Sequence, residues 1–364
     1  MQERKKVLID GFFLGKPYGF GRYSAEMLRA LSANNTAFDI TVLVPEDVTN
    51  IAHDAYPRID IVLRPRRNFI VWEQIVVPNV AKDLGIDIIH YPYNTCALRK
   101  GGRKTVTTVH DIIFLLEGGI NLNNIKASIA SAYARLIYRF GVPHSDAVIA
   151  VSKHTQKLIK EMSGVESIVA YNTVDGFLES VEGAPNAAVP HAERTHFLHR
   201  GGDSEHRNTK RVMDAFTAYQ QNGGKKKLMI LGVPEHAPFR VANANQDIAF
   251  LERVSDGELQ NLYRTALAVV VASLEEGFGL PILESIGLYT PAIVSNRSPM
   301  TEVVGDAGLL IDPLDVDSIA RAMTDIDRKP ALFAQLLKKG EKQVKVFSSV
   351  EAAKNILQAY RSVA

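Results

Sequence analysis

The sequence predicts an α/β protein built of two doubly wound domains, and three observations carry that reading. Short valine- and isoleucine-rich runs alternate with helical stretches, as expected of strands buried on both faces of a parallel sheet with helices packed over it. The alternation runs once through residues 6–162 and again from residue 195, with a weakly patterned stretch between. A length of 364 residues with 46% hydrophobic content is ample for two cores.

The elements follow in order. Residues 6–10 read as the first strand, 15–21 as a glycine loop, and 23–31 as a helix. Further strands are expected at 38–44, 86–90, 104–109 and 147–151, with a helix from Ser152 to about residue 162. Residues 173–194 carry Gly176, Gly183, Pro185 and Pro190 and read as a linker with irregular structure. The second series places strands at 195–198, 227–231, 248–251, 268–272 and 292–295, and a helical pattern at 349–363. Domain boundaries are expected at 1–170 and 171–348, the last helix excepted.

Composition excludes several classes. One cysteine, Cys96, forbids an intramolecular disulfide and suits a reducing compartment. The charged N-terminal run leads into a short apolar stretch broken by Asp10, which reads as a strand and not a signal sequence. No run approaches the ~18–20 apolar residues of a membrane span, so a cytoplasmic protein is expected, soluble or peripheral at the membrane. Residues 1–165 carry 21 Lys+Arg against 15 Asp+Glu, whereas 166–364 carry 21 against 25. The basic first half has clusters at Arg4–Lys6, Arg64–Arg67 and Arg99–Lys104, which fit either a solvated face or an anionic membrane surface. A modest pI of 8.4 and the lack of a recognition motif disfavour nucleic acid. Gly15, Gly19 and Gly21 do not make the G-x-G-x-x-G spacing, which disfavours a nicotinamide enzyme.

The informative segment is Glu276-Gly-Phe-Gly-Leu-Pro-Ile-Leu-Glu284. A valine-rich strand ends before it, Gly277 and Gly279 break the run, and Pro281 suits the first turn of a helix, where a missing N–H costs nothing. A helix start after a glycine turn offers unpaired amides and a positive dipole end, which favour an anion such as a diphosphate. Carboxylates repel phosphate but accept hydrogen bonds from hydroxyls, so Glu276 and Glu284 suit the hydroxyl-bearing ends of such a ligand. Asp315-Val-Asp317 has the form of a D-x-D metal motif but reads better as a helix cap, and no metal is expected.

Glu276–Glu284, with Thr290-Pro291 and Glu302–Pro313 after it, resembles the donor site of the family-4 retaining glycosyltransferases of GT-B fold, bacterial polysaccharide and O-antigen mannosyltransferases included. Gly201-Gly202 with Arg207, Gly19-Phe20-Gly21-Arg-Tyr23, Trp72-Glu-Gln74, His90-Tyr-Pro-Tyr-Asn94 and Val109-His110-Asp111 look like further landmarks in family order. The resemblance implies two Rossmann-like domains facing each other across a cleft, the C-terminal helix crossing back to the first. It implies transfer of a hexose from a nucleotide sugar, GDP-mannose by overall likeness, to a saccharide or lipid-linked acceptor, with retained configuration; the alternatives are a UDP-, dTDP- or ADP-sugar as donor, or a GT-B nucleotide-sugar epimerase or phosphorylase. Glu276 and His110 would be catalytic. Arg207, Phe278, Glu284, Val254, Gly19, Phe20, Gly21 and the backbone at Gly279, Leu280 and Pro281 would hold the donor, with Arg200 and Lys210 as auxiliaries. Tyr93, Asn94 and Asp111 would meet the acceptor. Tyr289 stands where the family has glycine, and Thr173 departs from its Asn-Gly-Val-Asp string.

Overall fold

The computed structural model describes residues 4–16, 19–48, 55–116, 125–180, 188–202 and 204–364. The chain divides into two compact units, Met1–Thr173 with Ser349–Ala364, and Val174–Ser348. In the first, β1 (Lys5–Asp10), β2 (Phe38–Pro45), β3 (Ile59–Arg64), β4 (Ile88–Tyr91), β5 (Lys104–Val109), β6 (Ala147–Ala150) and β7 (Ile168–Val169) form one sheet. Its order is β3-β2-β1-β4-β5-β6-β7, and every pairing is parallel. Val7 on β1 sits between Ile40 and Ile88, so the central strand is sealed on both sides.

Around this sheet lie α1 (Phe20–Asn34), α2 (Phe69–Val71), α3 (Val77–Asp83), α4 (Ile113–Leu116), α5 (Ile125–Phe140) and α6 (Lys153–Ser163). A π turn at Trp72–Val76 joins α2 to α3. Ser152 caps α6 by accepting from the Thr155 amide, as a polar residue at a strand end should. The first helix begins three residues earlier than its apolar pattern indicates. Gly19, at φ 55, turns the chain into it, and the expected glycine loop therefore ends there. Gly21 lies inside the first turn, where any Cβ would run into the carbonyls of Phe13 and Lys16.

The second unit repeats the plan. It contains α7 (Asp175–Glu179), β8 (His196–Arg200), α8 (Thr209–Gln221), β9 (Lys227–Leu231), α9 (Pro238–Val241), β10 (Ile248–Leu251), α10 (Asp256–Thr265) and β11 (Ala266–Val271). After these come α11 (Leu280–Gly287), β12 (Ala292–Ser295), α12 (Met300–Val304), β13 (Gly308–Ile311), α13 (Val316–Arg328) and α14 (Pro330–Gln343). The sheet runs β10-β9-β8-β11-β12-β13, again parallel throughout. Asp315 accepts from the Asp317 amide at 2.9 Å and caps α13. The stretch expected to be irregular contains α7 and a single 3-10 turn at His191–Glu193; expected-linker positions 181–187 lie outside the described residues.

The last helix, α15 (Ser349–Val363), belongs to the first unit and packs on α1. Its Tyr360 hydroxyl bonds His90 Nδ1 at 2.8 Å, and His90 Nε2 meets Thr108 Oγ1 at 2.8 Å. A buried polar chain thus bolts α15 to β4 and β5.

Arg194 holds the second unit together at a strained point. It is 1% exposed, and its guanidinium donates to the carbonyls of Val189, Ala266 and Tyr289 and to Thr290 Oγ1. Tyr289 adopts φ 56, a conformation that favours glycine, the residue the family resemblance leads one to expect there. The Arg194 clamp holds that turn from its carbonyl side. Replacing Arg194 by Leu orphans several buried acceptors at once, and unsatisfied groups cost about 1–3 kcal/mol each. We expect Arg194→Leu to lower stability by at least ~3 kcal/mol, read as a shifted urea midpoint. A midpoint equal to that of the parent would refute the clamp.

Candidate functional site

In each sheet the strand order reverses once, between β1 and β4 and between β8 and β11. Adjacent loops at the carboxyl ends of such strands leave in opposite directions and open a crevice, where open α/β sheets collect their ligands. In the second unit the two loops are residues 201–208, after β8, and 272–279, after β11.

These loops are tied back together at their bases. Asn208, at φ 58, donates through Nδ2 to the carbonyls of Ala272 (2.9 Å) and Pro313 (2.7 Å), and the Leu274 amide donates to the His206 carbonyl at 2.8 Å. Arg207, at the end of a 3-10 turn and not inside α8, is thereby brought to Glu276: its Nη1 donates to Oε1 at 2.5 Å. Ser273 Oγ donates to the same carboxylate oxygen at 3.0 Å, while the Ser273 carbonyl accepts from Ser295 Oγ at 2.6 Å. The chain turns into α11 through Gly279 at φ 101. One helical turn on, Glu284 is 2% exposed. Its Oε2 accepts from the Tyr263 hydroxyl at 2.6 Å and from Arg200 Nη1 at 3.3 Å. Arg200, at the end of β8, also meets the Tyr263 oxygen at 3.4 Å, and the neighbouring Tyr263 and Glu284 push its pKa up against the opposing cost of burial.

The arrangement is therefore two carboxylates, each held by an arginine and a hydroxyl, at the mouth of one sheet. An ion pair in such a mouth neutralises the acid when the site is empty and leaves a guanidinium within reach of an arriving anion.

Of the residues expected to hold the donor, the structure gathers Arg207, Glu276, Gly279, Leu280, Glu284 and Arg200. Val254 lies immediately before the Ser255 cap of α10, half-buried. Three expectations are corrected. Pro281 has no N–H and contributes only its fit to the first turn, so Gly279 and Leu280 are the amides of that stretch. Phe278 is buried, its ring edge-on to Phe347 at 5.6 Å. Lys210 lies on an exposed turn of α8 and pairs with Asp214 at 2.7 Å, one turn along the same helix.

In the first unit the reversal is filled by rings. His110 follows β5, and its ring stands edge-on to Tyr23 at 4.4 Å and to Phe20 at 5.0 Å. His110 Nε2 lies 2.9 Å from the Pro92 carbonyl, which can only accept, so this nitrogen carries the proton. Burial holds the imidazole pKa down at about 4, and the ring is neutral with an Nδ1 lone pair. Asn94, at φ 48, accepts from the His110 amide through Oδ1 at 2.5 Å, and so orients the histidine. Tyr93, expected to meet an acceptor, is instead core: 2% exposed, packed against Phe13, Phe20 and Phe69, its hydroxyl taken by Ser24 Oγ and the Phe13 amide. Asp111 is half-buried and accepts from the Ile113 amide at 3.1 Å. Gly19 has open space where a Cβ would be, whereas Gly21 serves packing.

Sequence reasoning assigned no role to Ser273, Asn208 and Tyr263. The signal for Ser273 is a hydroxyl at the carboxyl end of an otherwise apolar run; for Asn208, a residue type that tolerates left-handed backbone just before a helix. Tyr263 gives none, because its partner lies 21 residues away.

The sequence profile described as "Glycosyltransferase Family 4" matches residues 17–175, and that described as "Glycosyl transferases group 1" matches residues 188–343. The chain belongs to glycosyltransferase family 4. It is a transferase enzyme, and the alignments with two curated relatives span 30% and 67% of those proteins' own length. The O-antigen chain mannosyltransferase B of Escherichia coli is 38% identical over 114 residues, covering 31% of this chain and 30% of that protein. The O-antigen chain mannosyltransferase RfbU of Salmonella typhimurium is 26% identical over 250 residues, 64% of this chain and 67% of that protein. Among solved structures, sucrose-phosphate synthase from Thermosynechococcus elongatus superposes with a TM-score of 0.71 at 17% identity, covering 99% of both chains. WaaG, a glycosyltransferase of lipopolysaccharide biosynthesis, gives 0.70 at 13%, covering 96% of this chain and 99% of that one. At such identities these likenesses establish the fold, the two Rossmann-like sheets of the GT-B class.

The state of His110 is directly measurable in this glycosyltransferase. Its folded pKa lies below the unfolded value near 6.5, so the contribution to stability is fully present above about pH 6.5 and is lost as the pH falls toward 4. Nitrogen-15 spectra of the imidazoles should show His110 as the Nε2–H tautomer, neutral at pH 5.5. A midpoint above pH 6 would contradict the buried, carbonyl-bonded ring.

Proposed function

We propose that the protein moves a hexose from a nucleotide sugar to a saccharide or lipid-linked saccharide of a cell-surface polysaccharide, with retention of anomeric configuration, and that the donor is GDP-mannose. The observation that carries the reading is the pair of arginine-held carboxylates at the strand reversal of the second unit. Support for mannose comes from the two O-antigen mannosyltransferases among its relatives. A UDP-sugar is the second reading, because a structurally similar protein, Anabaena Alr3699/HepE (17% identity, TM-score 0.67, 99% of this chain and 100% of that one), was solved in complex with UDP and glucose.

Cleaving a glycosyl–phosphate bond puts positive charge on the sugar and negative charge on the leaving diphosphate. Arg207, the Gly279 and Leu280 amides and the dipole of α11 provide a fixed electropositive cradle for the latter. In this proposal Glu276 exchanges its bond with Arg207 for donor-sugar hydroxyls, and the freed guanidinium turns to phosphate. Glu284, paired with Arg200, holds the ribose hydroxyls, and the backbone near Val254 holds the base. Neutral His110 accepts a hydroxyl hydrogen bond at Nδ1, with Asp111 nearby for the acceptor. The acceptor attacks on the face of the leaving group, and a phosphate oxygen takes its proton. The enzyme acts in the cytoplasm or at the inner face of the membrane; among the described residues no helix is long and apolar enough to cross one. A thermal-shift panel of GDP-, UDP-, dTDP- and ADP-sugars tests the donor, since a ligand at 100 times its Kd stabilises by about 2.7 kcal/mol.

The two acids should separate kinetically. Glu276→Gln should lower kcat strongly with little change in nucleoside diphosphate affinity, whereas Glu284→Gln should chiefly raise the donor KM and weaken the diphosphate. Arg207→Ala should weaken both donor and free diphosphate by at least ~1.5 kcal/mol in calorimetry. Equal loss of diphosphate affinity in the two glutamate variants would reverse the proposed orientation of the donor.

In this proposal the cradle takes the place of a divalent ion. Asp315 is engaged by the Asp317 amide and by Arg321 at 3.2 Å, and among the described residues no group of three His, Cys, Asp or Glu side chains is placed to hold a metal. Turnover should survive EDTA, and Asp315→Ala should leave it nearly intact. Activity lost on chelation and restored by magnesium or manganese would overturn this part of the proposal.

A further inference from the structure

We infer that Glu73 is a positioning residue for His110: a buried glutamic acid that keeps its proton and, through Thr95, sets the turn from which the histidine is held. The turn comprises Tyr93, Asn94 and Thr95, with Asn94 in the left-handed region at φ 48. Both bonds that fix His110 come from this turn or from the residue before it. Asn94 Oδ1 accepts from the His110 amide at 2.5 Å, and the Pro92 carbonyl accepts from His110 Nε2 at 2.9 Å. Whatever holds the turn therefore sets the imidazole.

The Thr95 hydroxyl holds it, and its proton can be accounted for. Thr95 Oγ1 lies 3.0 Å from the Tyr93 carbonyl and 2.5 Å from Glu73 Oε1, with one proton to serve both. With Glu73 ionised, that proton goes to the charged oxygen, and the Tyr93 carbonyl loses the side-chain bond across the turn. With Glu73 as the acid, its own proton goes to Thr95 Oγ1, and the Thr95 proton closes the turn. Only the protonated form makes hydrogen bonds of both contacts. The rest of the cluster is compatible with it: Gln74 Nε2 donates to the Cys96 carbonyl at 3.0 Å and to the Tyr133 oxygen at 2.8 Å, and Tyr133 donates to Glu73 Oε2.

Burial favours the same state. Trp72 and Glu73 both face inward from the π turn, Glu73 wholly buried, and a carboxylate removed from water among neutral partners is costly. Its pKa is raised to about 8. Facing it are Asp10 at the end of β1, Tyr91 of β4, Cys96 after β4 and Tyr133 of α5. Asp10 gains its charge near pH 7 and opposes ionisation of Glu73 further. The Cys96 thiol, pushed up to about 11, and the two buried tyrosines stay neutral at pH 8. Single π turns gather at functional sites, and this one gives the Trp72–Gln74 segment a task that donor binding leaves unassigned.

The inference rests on the role proposed for His110, and its deciding test needs no substrate. His110 is neutral above pH 6.5, so nitrogen-15 shifts of its imidazole between about pH 6.5 and 9.5 report its setting and not its own titration. In the parent those shifts should move with a midpoint near pH 8. In Glu73→Gln, whose amide N–H replaces the acid proton, they should stay where the parent's lie at the lower pH. A parent without movement overturns the inference; so does a variant that moves as the parent does, which would assign the change to Asp10. Hydrolysis of GDP-mannose is the second readout. At pH 7 Glu73→Gln should keep kcat within about threefold of the parent, whereas Thr95→Val should lower kcat at least ~10-fold and leave GDP affinity within about twofold. Unchanged kcat in Thr95→Val would also overturn the inference. A parent inactive on GDP-mannose that shows the expected nitrogen-15 behaviour would refute the proposed donor and uphold the positioning.

Discussion

A strand buried on both faces can carry no charge along its length, so in a parallel sheet the polar groups accumulate where the strands stop. Between β8 and β11 the direction of sheet growth reverses, and the loops leaving those two strands diverge over opposite faces. That divergence would scatter their side chains if Asn208 and the Leu274 amide did not tie the loops together. With those bonds made, arginines from the β8 side meet glutamates from the β11 side twice, as Arg207 with Glu276 and Arg200 with Glu284. Everything chemical in the second unit depends on this closure.

The two units deal with buried charge differently. At the mouth of the second sheet each acid has a base, and the desolvation cost of one is offset by the other. Deep in the first unit Asp10 and Glu73 are bonded by neutral groups. Burial raises their pKa values to about 7 and about 8, and neutral donors such as the Trp72 indole and the Thr95 hydroxyl only moderate the shift. Arg194 is the mirror case, a cation surrounded by carbonyls, its pKa pulled down by burial to about 10. The acids at the mouth of the second sheet are paired with arginines, whereas Asp10, Glu73 and Arg194 are held by dipoles.

Much of this was legible in the sequence, and the exceptions have physical causes. The strands 104–109, 227–231 and 292–295, all central, and the edge strand 248–251 declare themselves through apolar or β-branched runs and agree with β5, β9, β12 and β10. The unforeseen strands β3, β7 and β13 are all at sheet edges, where one side is open and the run need not be continuously apolar, as Ile-Asp-Ile-Val-Leu-Arg of β3 illustrates. Glu276, Glu284, Arg207 and His110 were legible because their residue types fit strand ends and turns. Tyr93 misled: an aromatic among landmark residues looks like a ligand contact, but three neighbouring rings, the Ser24 hydroxyl and the Phe13 amide had already claimed it. Lys210, three residues past Arg207, is exposed and paired with Asp214 one turn along its own helix.

The bolt between α15 and the strands β4 and β5 bears on how the chain is made. Residues 349–363 complete a unit whose other residues end at Thr173, and Tyr360 supplies the partner of His90 within it. During synthesis the second unit is continuous and can close as soon as its own residues emerge, while the first must wait with α1 and the His90 pair uncovered. The domain begun first is therefore the one finished last, and a chain arrested by the ribosome before residue 349 would present a complete second sheet beside an unsealed first one.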